Sequence, residues 1–272
     1  GCPALASLAM AGVGNITIVD PDHISISNIH RQFFYSTNLV GEPKALVTKN
    51  RLMELNPFIK VESIVEYFKA HFVKDFTLVL DCTDNMATKY LIHDACFKYQ
   101  VPLISAGVFK HEGQIRTFFP NKGCLRCFGG ETPDDTKLGN CNDFGVLGAT
   151  TNALGSIQAS QAIEFLSEGS NATLEATLHL NLKTLTQVKI KNSQNEECAV
   201  CRGEVDISTD SVEVMEISDE RVIDIRELSD ESVMSFSFDT QKVVLCCHRG
   251  IRSKKMALSL RAQGHDHIYS LK

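Results

Sequence analysis

A run of strong helix formers, residues 4–11 (ALASLAMA), is ended by Gly12 and Gly14 and passes straight into the β-branched run Asn15–Val19, which stops at Asp20. Helix, tight turn, strand and acid therefore follow one another within a few residues. The rhythm returns at Phe76–Leu80, a short apolar strand that runs into Asp81-Cys82-Thr83-Asp84-Asn85 and a helical stretch to about Lys98. A third strand, Pro102–Ala106, comes almost at once. Strands that alternate with helices of about 10–15 residues point to an α/β architecture with a doubly wound, mainly parallel sheet. In such sheets ligands sit beyond the C-terminal ends of the strands, where Asp20 and Asp84 both fall.

The middle of the chain departs from that rhythm. Alternation over Gln114–Phe119 suggests an added strand, and Gly123–Cys127 is a Cys-x-x-Cys turn. Glu131–Gly145 is a polar loop, long enough to suggest a functional one. A long helix is expected over Gly148–Ser167, a mostly alternating strand over His179–Lys191, and a loose segment over Asn192–Glu197. A second Cys-x-x-Cys then closes the first domain, residues 1–204. An acidic Ser/Thr/Asp linker opens the second, residues 205–272, with strands at Val222–Ile225 and Val243–Cys246 and a helix at Lys254–Ala262.

Composition narrows the function. With 43% hydrophobic and 22% charged residues the chain is of the folded globular kind. Its net charge of -6 repels polyanions, which argues against nucleic acid or an anionic membrane as partner and makes any phosphate site a local one. The most apolar helix candidate, Val146–Leu166, is interrupted by Asn152, Gln158, Gln161 and Glu164, so no membrane span is expected. Gly1-Cys2-Pro3 has no basic targeting region and reads as an interior point of a longer chain. Ten cysteines without a secretory signal suggest metal and thiol chemistry in a reducing, cytoplasmic setting.

Taken alone, Asp20 fits two roles: the carboxylate that bonds ribose hydroxyls in a nucleotide-binding sheet, or a solvated acid at a strand end. The glycine-rich strand and loop of such a motif would precede Gly1. The residues that follow decide between them. Asp20-Pro-Asp-His-Ile-Ser-Ile-Ser-Asn28-Ile-His-Arg31-Gln32-Phe, then Gly41-Glu-Pro-Lys44, Leu55-Asn-Pro57 and Asp81-Cys-Thr-Asp84-Asn85, closely resemble the ubiquitin-activating-like adenylyltransferases. These are the bacterial enzymes that activate sulfur carriers for molybdopterin and thiamine synthesis, with their eukaryotic relatives. The resemblance covers residues 1 to about 203 and implies a Rossmann-like domain, with antiparallel strands added, that binds ATP and Mg2+.

The resemblance implies a role for each residue. Asp20 would hold the ribose, Arg31 and Lys44 the phosphates, Asn28 and Gln32 would make polar nucleotide contacts, Asp84 would associate with Mg2+, and Asn85 would be a further cofactor-binding residue. It also implies a homodimer, with an arginine reaching across the interface from a segment before Gly1. Chemically the set is coherent: adenylation turns a poor acyl donor into a good one, and the negative charge gathered at the α-phosphate calls for cations.

Cys124, Cys127, Cys198 and Cys201 form two Cys-x-x-Cys pairs that can close a tetrahedral thiolate site, and the resemblance makes the metal a structural Zn2+. Cys141, in the polar loop ahead of the long helix, is placed for a lowered thiol pKa. The resemblance implicates it in bonding to the activated carrier or its sulfur, although an incidental exposed thiol fits as well. Cys82 and Cys96 read as core positions, Cys246 as strand packing, and Cys2 has no visible task.

In the second domain, Val222-Ile-Asp224-Ile-Arg226-Glu227 and Leu245-Cys-Cys247-His-Arg-Gly250-Ile-Arg252-Ser253 resemble the hallmark segments of a rhodanese domain, with Cys247 as the persulfide-forming thiol. Backbone N–H groups, Arg249 and Arg252 would surround that sulfur. The Pro-containing segment usual between the two hallmarks is missing, which makes this a partial rhodanese-like domain. The expected activity is adenylation of a ubiquitin-like sulfur carrier ending in Gly-Gly, followed by sulfur transfer to a thiocarboxylate, with a sulfur donor such as a cysteine desulfurase. The rival readings are adenylation alone with a degenerate rhodanese tail, a nucleotide-binding scaffold without activity, and a nicotinamide-dependent oxidoreductase.

Overall fold

Helix α1 (Cys2–Met10) ends at Gly12, whose φ of 84° is a left-handed turn that suits glycine, and β1 (Asn15–Val19) follows. A computed structural model of the chain describes residues 1–119, 122–129, 145–174, 176–198, 200–202, 213–214, 221–226, 228–236, 238, 242–246 and 251–271. The chain divides into two units, Gly1–Thr209 and Asp210–Lys272.

In the larger unit β1 pairs in parallel with β2 (Lys60–Ile64), and α2 (Lys44–Leu55) makes the crossover. Next, β3 (Val79–Asp81) leads through α3 (Met86–Lys98) to β4 (Leu103–Phe109), again in parallel. From there the pairing reverses. Only Lys110 and His111 separate β4 from β5 (Glu112–Phe118), and a parallel return needs a crossover of a dozen residues or more, so β5 runs antiparallel. After α4 (Leu125–Gly129) and α5 (Gly148–Glu168), β6 (Ala176–Asn181) and β7 (Thr186–Lys191) extend the sheet in the order β3-β4-β5-β6-β7.

Among the described strand pairs of this unit, the parallel ones are thus β1/β2 and β3/β4, and the antiparallel additions form the larger share. The single strand expected over His179–Lys191 is in fact the second half of β6, a turn and β7. Asn181 Oδ1 accepts the N–H groups of Lys183 at 3.0 Å and Thr184 at 3.1 Å, and Leu185 takes a φ of 57°. A side chain that mimics a backbone turn in this way reverses the chain inside a run that alternates like a strand.

The core gathers Ile16 and Ile18 of β1, Ala4, Leu8 and Ala9 of α1, Leu52 of α2, Ile104 and Ile115 of the sheet, and Leu154, Ala159 and Ala162 of α5. Glycine permits the closest approaches. A Cβ at Gly155 would stand 2.6 Å from Pro3 Cγ, and one at Gly148 would collide with the carbonyl oxygen of His30, so α5 begins directly against the loop that carries Arg31.

The smaller unit is a four-stranded parallel sheet in the order β8-β11-β10-β9, made of β8 (Glu213–Val214), β9 (Arg221–Asp224), β10 (Val243–Cys246) and β11 (Ile268–Leu271). Helices α6 (Asp230–Met234) and α7 (Ile251–Ala262) accompany it. Val243, Leu245, Met256, Leu260 and Ile268 make its core. No helix among the described residues is long and apolar enough to cross a membrane.

The packing makes a direct prediction. Gly148→Ala forces the His30 carbonyl or the start of α5 to move, and should cost about 1–3 kcal/mol, as overpacking does. A thermal midpoint equal to that of the unaltered protein would contradict this approach.

Candidate functional site

The end of β1 gathers acids and a cation. Asp20 accepts the N–H of Asp22 at Oδ1, 2.9 Å, and burial pushes its carboxyl above the usual range. Asp22 then reaches Lys44 twice: its carbonyl accepts the Lys44 N–H at 2.9 Å, and its Oδ2 lies 2.8 Å from Lys44 Nζ. The Lys44 side chain is 7% exposed and that of Asp22 is 61% exposed. A buried ammonium at the first residue of α2 is thereby held by an acid that water or a ligand can reach.

The loop after this acid carries three more of the expected residues. Asn28 is buried and its Oδ1 accepts from Ser25 N at 3.2 Å and Ser25 Oγ at 3.0 Å, which fixes the short 3-10 turn Ile26–Asn28. Arg31 donates from Nη1 to the carbonyl of Ser27 at 3.0 Å. Gln32 Oε1 is buried and accepts no hydrogen bond from any described residue. A buried acceptor without a partner has a cost of its own and is suited to a bound donor.

At the end of β3 a different residue dominates. Asp81 is fully buried and its carboxylate accepts from Thr83 N at 2.9 Å, Thr83 Oγ1 at 2.6 Å, Ser105 Oγ at 2.6 Å and Lys89 Nζ at 2.5 Å. Burial by itself would raise this carboxyl, but the Lys89 ammonium and the hydroxyls outweigh it and hold it below the usual range. Asp84 is exposed just beyond, and Asn85 caps α3 by accepting Thr88 N–H at 2.8 Å. Cys82 is exposed rather than a core residue, because it is the first residue past the strand; its thiol donates to Gln158 Oε1 at 3.3 Å. The end of β3 comes against the start of α1: a Cβ at Gly1 would stand 3.9 Å from Cys82 Cβ.

The four cysteines converge. Sγ distances are 3.7 Å for Cys124 to Cys127, 3.5 Å for Cys124 to Cys198 and 3.4 Å for Cys127 to Cys201, with all four atoms within 4.8 Å of one another. A tetrahedral zinc with bonds of about 2.3 Å separates its sulfurs by about 3.8 Å, so the set fits this ion. Burial pushes the Cys124 and Cys201 thiols up, whereas at Cys127 it is outweighed by hydrogen bonds from the backbone of Cys124 and Asn195. Arg116, its pKa brought down to about 10 by burial, lies 3.6 Å over the Phe128 ring and is drawn electrostatically to Cys127 and Cys124.

Cys141 and Cys247 lie outside the described residues, as does Arg249. Cys96 is buried, as expected, with its thiol pushed up to about 12 by burial. Cys246 is half-buried at the end of β10. The sulfur that Arg252 is expected to flank lies outside the described residues, and Arg252 donates to the carbonyls of Ile225, at 2.6 Å, and Leu228, and to Asp230 Oδ1 at 2.7 Å. Its guanidinium ties the start of α7 to the segment after β9. The other residues missed in the sequence are Asp22 and Asp81, one an exposed acid and the other recognisable only once its four donors are in place.

Residues 1–200 match the ThiF family. Among curated proteins the chain is similar to the adenylyltransferase and sulfurtransferase MOCS3 of Drosophila willistoni, 34% identical over 213 residues that make up 75% of this chain and 46% of that protein. The Dictyostelium discoideum MOCS3 is 34% identical over 209 residues, 74% of this chain and 49% of that one. The chain thus spans less than half the length of these relatives. In fold it resembles E. coli MccB determined with ATP, with a TM-score of 0.63 and 23% identity over 74% of this chain and 64% of that one. MccB with MccA-N7isoASN gives a TM-score of 0.64 at 22% identity, with the same coverage.

The cysteine cluster predicts stoichiometric zinc in the purified protein by elemental analysis, and its loss with a lower thermal midpoint in Cys198→Ser. A metal-free protein of unchanged stability would contradict the assignment.

Proposed function

Because the chain belongs to the ThiF family, we propose that it adenylates the C-terminal glycine of a ubiquitin-like sulfur carrier ending in Gly-Gly, using ATP. The observation that carries this reading is the cluster at the end of β1, where Asp22 links the acid Asp20 to the buried cation Lys44 beside the Asn28–Gln32 loop. The MOCS3 relatives are named for adenylyltransferase and sulfurtransferase activity, and MccB of the same fold was determined with ATP.

In this reading Asp20 accepts the ribose hydroxyls and Asn28 and Gln32 orient the nucleotide. A carboxylate oxygen of the carrier attacks the α-phosphorus in line, the bond to pyrophosphate breaks, and an acyl-adenylate forms. Lys44 exchanges the Asp22 carboxylate for phosphate oxygen, and with Arg31 it neutralises charge that grows as pyrophosphate leaves. Asp84, with Asn85 beside it, would hold Mg2+, which supplies further charge neutralisation on the phosphates. Zinc at Cys124, Cys127, Cys198 and Cys201 is structural, since sulfur fills every position. A homodimer completes the proposed enzyme.

The second step belongs to the smaller unit. The terminal sulfur of a Cys247 persulfide, charged by a donor such as a cysteine desulfurase, bonds to the acyl carbon as AMP leaves. A second thiol then cleaves the S–S bond, releasing the thiocarboxylate and forming a disulfide with Cys247 that a cellular thiol reduces. Cys141 would bond to the activated carrier or its sulfur. Adenylation alone is the second reading, favoured by a family match that ends at residue 200.

Pyrophosphate exchange into ATP that depends on a Gly-Gly carrier tests the first step. Arg31→Ala should reduce exchange at least about 100-fold with folding unchanged; full exchange in that variant removes Arg31 from the site, and no exchange in the intact protein favours a scaffold or an oxidoreductase. Cys247→Ala should keep exchange and lose thiocarboxylate formation. Thiocarboxylate made at the original rate would leave adenylation alone.

A further inference from the structure

Helix α3 carries a histidine for which the nucleotide site has no use. His93 is 1% exposed, and its Nε2 lies 2.9 Å from the backbone nitrogen of Leu125, the residue after Cys124. A backbone N–H can only donate, so Nε2 is the bare acceptor and the neutral ring carries its proton on Nδ1. That proton points to Asp94 Oδ1, 3.0 Å away. Asp94 in turn accepts Arg126 through Nε at 3.2 Å and Nη2 at 2.6 Å. Consecutive side chains of α3 therefore grip both residues that separate Cys124 from Cys127, Leu125 by its backbone and Arg126 by its guanidinium. The ring itself is fixed by Phe118, edge-on with centroids 5.0 Å apart, and by Phe97, stacked at 6.3 Å.

Leu125 opens α4, where a backbone N–H has no partner within the helix. His93 supplies the acceptor, and with it a fixed direction for the turn that carries two sulfurs. We propose that His93 is a positioning residue of the four-cysteine metal centre: as an Nδ1–H imidazole oriented by Asp94, it holds the Leu125 N–H and presets Cys124 and Cys127 for the ion. The inference rests on the reading of those cysteines as a zinc site. A turn already set in its metal-binding shape has less to order on binding, and outer-shell partners of this kind are worth about 10–100-fold in metal affinity.

Zinc affinity of the full-length protein, measured by competition with a chromogenic chelator, tests it. His93→Leu fills much of the same space but accepts nothing, and should weaken zinc about 10–100-fold. His93→Gln, whose carbonyl oxygen can take the Leu125 N–H, should recover most of the loss. Packing alone would instead lower the thermal midpoint in His93→Leu and leave zinc affinity where it was, a result that overturns the proposal. Independently of any variant, the imidazole 15N spectrum of the unaltered protein should show the Nδ1–H tautomer, and an Nε2–H ring would overturn it too. If the unaltered protein binds zinc and His93→Leu binds it equally well, only the role of His93 fails; if the unaltered protein binds none, the metal reading fails and takes this role with it.

Discussion

An ionised carboxylate in a protein interior costs several kcal/mol unless its oxygens are well paired, and Asp81 is the place where this chain meets that demand. Four donors converge on it, from Thr83, Ser105 and Lys89. Lys89 is satisfied in turn by Ser105 Oγ at 3.3 Å and the Ala106 carbonyl at 3.0 Å. The backbone of the same residue is gripped from the other side: Gln158 of α5 donates to the carbonyls of Asp81 and Ile104, each at 2.9 Å. β3, β4, α3 and α5 are thus joined at one point. The loop past that point has little freedom left, and Asp84 and Asn85 are presented at the strand end by a scaffold that removal of Lys89 or Asp81 would leave with a buried unpaired charge or unpaired donors.

From this junction α3 leads to the other centre of the larger unit. Its N-terminal end is Asn85, beside the proposed nucleotide site, and its later turns carry His93 and Asp94, which hold the Cys124–Cys127 turn. The second cysteine pair belongs to the end of the same unit, so a metal there ties chain segments far apart in sequence to the sheet that bears the site. In the proposed reading, nucleotide chemistry and metal binding would share one helix, the first at its cap and the second along its side.

The sequence made the strand-end acids and the cysteine pairs legible because both depend on local spacing. Asp20 and Asp84 follow β-branched or apolar runs, and two Cys-x-x-Cys turns declare themselves without any fold. Residues whose meaning comes from distant partners could not be read in that way. Asp81 and Asp84 stand in the same short motif, and only the tertiary donors show that Asp81 is the buried one. Cys82 looks like a core residue until the strand is seen to end before it. His93 acquires its role from a backbone amide far along the chain. The β6/β7 hairpin was hidden because its turn is made by the side chain of one asparagine in an alternating run, and the partners of Arg252, two carbonyls and Asp230, carry no local signature.

The central claim is that the ends of β1 and β3 form one nucleotide site. Calorimetric titration of the intact protein with Mg2+ and a non-hydrolysable ATP analogue tests it most directly. The account predicts saturable binding that Asp20→Ala and Asp84→Asn each weaken about tenfold, the loss of one charge-assisted contact. Absent saturable binding, or binding that neither substitution weakens, would contradict it.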